Sequence, residues 1–256
     1  GVPLLEIVSE PDMHSAEEAR AYGEALRDIL IYLGVNSGNM ERGVMRFEAN
    51  VSVRPTGSDQ MGARHEIKNL NSFRALYESI AYEIDHQISI LEEGGEIEPQ
   101  TMGWNEMDAV TVPQRGKEFA HDYRYFPEPD IPPVEIARED VEALRAQLPE
   151  LPRAKRARFT RQYGLSDYDA TLLVQEKAVA DYFEQVVESG IEAKQAANWI
   201  TGELFRLLKT ANQEIGASKI TPGALAELIG LVEDGTITQS TGKDLLEEMF
   251  ATGQRA

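Results

Sequence analysis

The stretch VMRFEANVSVR, residues 44–54, alternates without a slip. Met45, Phe47, Ala49, Val51 and Val53 form one row, and Arg46, Glu48, Asn50, Ser52 and Arg54 the other. A period of two sends successive side chains to opposite faces of a strand, so one row belongs to a core and the other to a charged surface. The turn-forming stretch PTGSDQMG, with Pro55, Gly57 and Gly62, leads into ARHEIKNL, whose polar row is Arg64, Glu66 and Lys68. Two such runs read as an antiparallel hairpin. If opposed residue numbers add to an even value, both polar rows share one face and Glu48 and Glu66 become near neighbours.

Around this hairpin the first 150 residues mix strand and helix. The apolar run at 4–9 reads as a strand, interrupted by Glu6, which would be desolvated there unless paired or placed at a sheet edge. Ser15 and Glu18 then have capping-box spacing ahead of Tyr22, Leu26, Ile29, Leu30 and Leu33, a helical stripe that Gly34 ends. A second helix is expected from Ser72, with Phe73, Leu76, Tyr77, Ile80, Ile84, Ile88 and Leu91 as its apolar stripe and EEGGE as its stop. Hairpins rather than crossovers imply an α+β fold with a mainly antiparallel sheet.

The prolines of PEPDIPPVEI mark a boundary, beyond which helical periodicity takes over. Helices are expected at 138–147, 152–163, 167–188, 191–212, 221–233 and 239–250, the first four as a bundle and the last two as a small module beyond a hinge at Gly216. The resulting domains are 1–136, 137–216 and 217–256.

Charge narrows the function. The chain of 256 residues carries a net charge of -19, which disfavours indiscriminate nucleic-acid binding. The distribution is uneven: residues 1–150 hold 13 Lys+Arg against 29 Asp+Glu, whereas 151–215 hold nine of each. Within that balanced segment PRAKRARFTRQY places Arg153, Lys155, Arg156, Arg158 and Arg161 in nine residues, either a solvated helix face or a phosphate-contact strip. Cysteine is absent, which removes disulfides, thiolate metal sites and a cysteine nucleophile, and makes an intracellular, reducing setting the simpler expectation. No apolar run has transmembrane length and no leader is recognisable, so a soluble, cytoplasmic protein is expected. The opening GVPLLEIVSEP, without Met, reads as the start of a fragment.

The polar hairpin face supplies carboxylates, Glu48 and Glu66, among cations, Arg46 and Lys68. Carboxylates of this kind hold Mg²⁺, and the cations offset phosphate charge, which suits phosphoryl transfer. A solvated face laced with salt bridges accounts for the same pattern. A P-loop, a dinucleotide fingerprint, a GxSxG elbow and a paired-histidine metal motif are all missing, since His14, His65, His86 and His121 stand apart.

GVPLLEIVSEPD, EANVSVRP, EIKNLNSF and HDYRYFPEPDIPP, in that order, closely resemble the B-subunit family of aspartyl/glutamyl-tRNA amidotransferases. The resemblance continues through ANWITGELFRLL into a tail like the first part of a YqeY domain, and so covers essentially the whole chain. It implies the later part of a catalytic cradle, likened to glutamine synthetase, followed by a helical domain and a truncated tail. It also implies a reaction: ATP phosphorylates the side-chain carboxylate of Glu-tRNA(Gln) or Asp-tRNA(Asn), and ammonia displaces the phosphate. The ammonia would come from the glutaminase A subunit, and the small C subunit would clasp the pair.

By motif match Glu66 is the Mg²⁺ ligand carried over, and Glu48 stands where many relatives have Asp. The family's remaining ligands, a His and a Glu, would lie before Gly1. QRGKEFAHDYRYFPEPDIPP resembles the family's last cradle segment, in which Arg115, Lys117 and Arg124 would meet phosphates or the aminoacyl end. Asp122 would orient one of those cations, and Tyr123, Tyr125 and Phe126 would pack a pocket wall or a domain junction. In the family the helical and tail domains recognise tRNA, which favours the strip from Arg153 to Arg161. Two other readings stay open: a noncatalytic tRNA-binding or assembly module, and a carboxylate-amine ligase acting on a small molecule.

Overall fold

A computed structural model describes residues 4–114, 129–133 and 135–255. The chain divides into two compact units, one of Gly1–Leu30 and Gly34–Gln147, the other of Ile31–Leu33 and Leu148–Ala256. The fold is α+β.

In the first unit, α1 (Ala16–Tyr32) begins at the expected cap: the Glu18 amide donates to Ser15 Oγ at 3.1 Å, and the Glu18 carboxylate reaches back to the His14 amide at 2.6 Å. β1 (Phe47–Val51) and β2 (His65–Leu70) form the antiparallel hairpin. Its connecting loop requires Gly62, where a Cβ would lie 2.3 Å from the Val53 carbonyl oxygen. α2 (Phe73–Glu92), capped by Ser72 accepting from the Ala75 amide at 2.9 Å, then carries the chain across the sheet. β3 (Gln100–Asn105) pairs parallel with β2, and β4 (Val110–Pro113) returns antiparallel.

The sheet, in order β1-β2-β3-β4, is therefore mixed. Two of its three pairings are antiparallel as expected. The central one is parallel because α2 serves as a crossover, and the hairpin of β3 and β4 lies in a stretch that the sequence reading left unassigned. The core of this unit gathers Ala49, Val51, Ile67, Leu70 and Met102 from the sheet with Ala75, Leu76 and Ile80 from α2.

The strand expected at 4–9 is not formed: residues 4–10 are irregular, Leu4, Leu5 and Val8 are 88, 70 and 81% exposed, and Glu6 is exposed. No described strand pairs with this segment, and an isolated strand leaves its backbone groups unpaired. The puzzle of a desolvated Glu6 disappears with it. The apolar stripe of α2 also ends early, because Ile88 and Leu91 are 40 and 44% exposed while Ser79, Glu83 and Gln87 are buried.

The second unit is helical, preceded by α3 (Arg138–Ala146) in the first. α4 (Pro152–Tyr163) opens with Pro at its first turn and closes on Gly164 in the left-handed conformation. The helix expected over 167–188 is two, α5 (Asp167–Val174) and α6 (Lys177–Glu188). The buried positions explain the break: they run 170, 173, 174 and then 179, 180, 183, and the five-residue step misses helical spacing.

The helix expected over 191–212 is continuous in direction but not in type. α7 (Ala193–Asn198) passes through a π-helical turn, Trp199–Leu204, into α8 (Phe205–Ala211). α9 (Pro222–Glu233) and α10 (Gln239–Thr252), capped by Thr221 and Thr238, complete the unit. Phe159, Phe183, Ile200 and Leu204 share one core with Leu225, Leu228, Ile229 and Leu246, so the helices on both sides of residue 216 are packed together.

Candidate active site on the open face of the sheet

Strand pairing decides which polar residues meet. Ala49 faces Ile67, Asn50 faces Glu66 and Val51 faces His65, the even register under which both polar rows share a side. Before Ala49 the register shifts, because Phe47 faces Leu70 and two residues of β2, Lys68 and Asn69, oppose the single residue Glu48. Asn69 takes φ 61°, a left-handed conformation that Asn tolerates better than most side chains. This is a β-bulge, a device that re-aims side chains beside functional sites. It keeps Phe47 and Leu70 against the core and still leaves Glu48 and Lys68 on the outer face.

There the Lys68 ammonium lies 3.4 Å from Glu66 Oε1 and 3.9 Å from Glu48 Oε2. Thr101 of β3 is level with Glu66, and its hydroxyl donates to Glu66 Oε2 at 3.3 Å. The side chains of Glu48, Glu66 and Lys68 keep 35, 34 and 37% exposure, so each pairing contributes little to stability. The two carboxylates, with Asn50 opposite Glu66 in register and the Thr101 hydroxyl bonded to it, offer oxygen donors of the kind a hard divalent cation takes. Mg²⁺ characteristically takes one or two protein carboxylates and completes its shell with water and phosphate. The residues fit the ion, and Lys68 holds positive charge in the gap between the acids.

The other expected site residues fall in three groups. Arg46 precedes β1 and is exposed, with no ion pair among the described residues. Arg115, Lys117 and Arg124, with Asp122, Tyr123, Tyr125 and Phe126, lie outside the described residues. The five cations from Arg153 to Arg161 all belong to α4, but they are not one open strip.

Lys155 is 7% exposed and donates to Glu184 at 2.8 Å and Asp181 at 3.3 Å, both on α6. Arg158 grips Glu150 through two nitrogens and also pairs with Glu184 at 2.7 Å. Arg156 bonds Asp167, with Nε 2.8 Å from Oδ1. Burial pushes the Glu184 carboxyl up, and the hydrogen bonds from Arg158 and Lys155 outweigh it and hold the group below its ordinary range. The reading of Lys155 as a solvent-facing phosphate contact is corrected: it is an internal tie, as its partners 26 and 29 residues away are invisible in the local pattern. Arg153 and Arg161 have no carboxylate partner among the described residues; Arg161 bonds only the Ala157 carbonyl, at 3.2 Å.

The sequence reading also missed Thr101, and it missed the polar residues under the sheet. Ser79, Glu83 and Gln87 follow one another at four-residue spacing, one position before Ile80, Ile84 and Ile88. That offset was the available signal. Among the described residues no group of three or more His, Cys, Asp or Glu side chains is arranged to hold a metal, and no helix is long and apolar enough to cross a membrane.

The segment that carries this face matches a known family. Residues 1–142 match the family described as the GatB/GatE catalytic domain, and residues 181–256 match the GatB domain. Among curated relatives, the aspartyl/glutamyl-tRNA(Asn/Gln) amidotransferase B subunit of Herpetosiphon aurantiacus is 53% identical over 258 residues, covering 99% of this chain and 53% of the relative. The protein of the same name from Myxococcus xanthus is 52% identical over 254 residues, again 99% and 53%. That of Moorella thermoacetica is 52% identical over 256 residues, covering 100% and 54%. The chain spans about half the length of these relatives. With its polar sheet face inside the matched catalytic segment, the chain belongs to the GatB/GatE catalytic-domain family.

Proposed function

We propose that the protein is the kinase and transamidase subunit of a tRNA-dependent amidotransferase, acting on the side-chain carboxylate of Glu-tRNA(Gln) or Asp-tRNA(Asn). The observation that carries this reading is the convergence of Glu48, Glu66 and Lys68 on one face of the sheet. A carboxylate resists attack by ammonia until one of its oxygens becomes a better leaving group. Its oxygen attacks the γ-phosphorus of ATP, the bond to the bridging oxygen breaks, and ADP departs. Ammonia then attacks the acyl carbon, the bond to the phosphate oxygen breaks, and the new amide loses its surplus proton.

Glu66 and Glu48 would hold Mg²⁺, which when bound supplies positive charge against the phosphates. Lys68 would exchange its carboxylate partners for a phosphate oxygen, and Thr101 donates its hydroxyl to the Glu66 carboxylate. Asn50 and Arg46 would contact the nucleotide, and Arg115, Lys117 and Arg124 the phosphates or the aminoacyl end. Such fixed charges, aimed where charge develops, carry most of the work in phosphoryl transfer.

Ammonia would come from the glutaminase A subunit, with the small C subunit completing a cytoplasmic complex. Residues 1–136 would be the later part of a glutamine-synthetase-like cradle, 137–216 a helical domain and 217–256 the start of a YqeY-like tail. Arg153 and Arg161 are the members of the α4 strip best placed to meet tRNA phosphates.

The test is Glu66→Gln in the full-length protein, assembled with its partners. ATP hydrolysis dependent on mischarged tRNA should fall about 100-fold or more, while hydrolysis of glutamine persists. Wild-type phosphorylation in that variant would overturn the reading. Turnover of free glutamate in place of Glu-tRNA would favour a small-molecule ligase.

A further inference from the structure

Directly behind the proposed site, inside the core, lies a polar cluster that phosphoryl transfer does not use. Glu83 of α2 is fully buried, and its carboxylate faces three hydrogen-bonding groups. His65 Nδ1 is 2.5 Å from Oε1, Gln87 Nε2 donates to Oε1 at 2.9 Å, and the Thr111 hydroxyl donates to Oε2 at 2.7 Å. The other nitrogen of His65 faces the Glu98 carbonyl at 3.1 Å, and Gln87 Nε2 also donates to the Val51 carbonyl at 3.1 Å. The cluster thereby ties α2 to β1 through Gln87 and Val51, to β2 through His65, and to β4 through Thr111, while His65 also reaches the Glu98 carbonyl ahead of β3.

Burying ionisable groups is a poor way to gain stability, since apolar replacements of similar volume are often neutral or stabilising. Gln87 Oε1 even stays without a partner. What such a cluster does supply is register: a strand that slips by one residue sends its whole polar row to the other face. His65 and Glu66 are consecutive, so fixing the first on the core side fixes the second on the outer side.

We propose that Glu83, with His65, Gln87 and Thr111, is a positioning cluster that locks β1, β2 and β4 in register and so holds Glu48, Glu66 and Lys68 at metal- and phosphate-binding spacing. The inference rests on the function proposed above and assigns these four residues no contact with substrate.

The test uses the full-length protein in its complex, with Mn²⁺ binding counted by electron paramagnetic resonance and folding followed by thermal denaturation. The combined variant His65→Leu, Glu83→Leu, Thr111→Val replaces the two ionisable groups and the hydroxyl by apolar groups. Glu83→Gln, which keeps shape, serves if the combined variant does not fold. The expected result is Mn²⁺ affinity weakened about tenfold or more, with a thermal midpoint equal to or above that of the wild type. A lowered midpoint with wild-type affinity would make the cluster a stability element and overturn the proposal, as would wild-type values of both, or affinity lost only together with the midpoint. Glu66→Gln is the control. Wild-type Mn²⁺ affinity in that variant removes the site itself, whereas affinity lost there and retained in the cluster variants removes only the positioning role.

Discussion

Each of the two units buries an ionisable group, and they do so to different ends. In the sheet unit a carboxylate on α2, Glu83, gathers donors from elements far apart in sequence, while the acids on the opposite face remain a third exposed. In the helical unit a cation on α4, Lys155, is enclosed by two acids of a single helix, and Arg158 shares one of them. The first arrangement leaves an adjacent charged surface open for a ligand. The second consumes charges that a local reading would have offered to one. A run of basic residues therefore says little about nucleic acid until the acids that face it are known.

The largest expected effect tests the helical side of this contrast. Lys155→Ala leaves Glu184 and Asp181 without their shared cation and should destabilise the protein by about 3 kcal/mol, read from urea denaturation. tRNA affinity, measured where the variant stays folded, should not change; a weakened affinity would break the contrast by returning Lys155 to the surface.

The sheet side is sharpened by the bulge. Asn69→Val forces a β-branched side chain into the left-handed region and should cost about 1–2 kcal/mol, whereas Asn69→Gly should be near neutral in the same denaturation experiment. Equal stability of the two variants would remove the bulge as a constraint on the spacing of Glu48 and Lys68.

Acid unfolding offers a smaller but directional test. Glu184 is held below its ordinary value of 4.5, so its contribution is present above that pH and is lost as pH falls through the lower folded value. Below pH 4.5 the wild type should lose stability, and Glu184→Gln should flatten that limb; an unchanged slope would reject the ion-paired description. The smallest effect expected is for Arg153→Ala with Arg161→Ala. Loss of two phosphate contacts should lower the dependence of log affinity for tRNA on log salt by about 1.5–2, with no change in thermal midpoint. An identical salt slope would withdraw the remaining part of the strip.

Much of the architecture was legible locally. The alternation at 44–54, the caps Ser15, Ser72, Ser166 and Thr221, and the stripes of the helical region identify most elements, because propensity, capping and periodicity act between residues a few positions apart. Glu48 and Glu66 were legible as a candidate pair on the same grounds. The failures have one cause. The run at 4–9 has strand composition but no described partner, α2 is a crossover rather than a hairpin link, and the polar residues at 79, 83 and 87 are core residues.

What the sequence by itself determined is therefore the kind of each element and the polar identity of one sheet face, since these follow from side-chain chemistry at fixed local spacing. What only the tertiary structure decided is which polar groups meet: Glu48 with Lys68 across a bulge, His65 with Glu83 across 18 residues, and Lys155 with Glu184 across 29. Electrostatic energy depends on distance and burial in space, and neither can be read from separation along the chain.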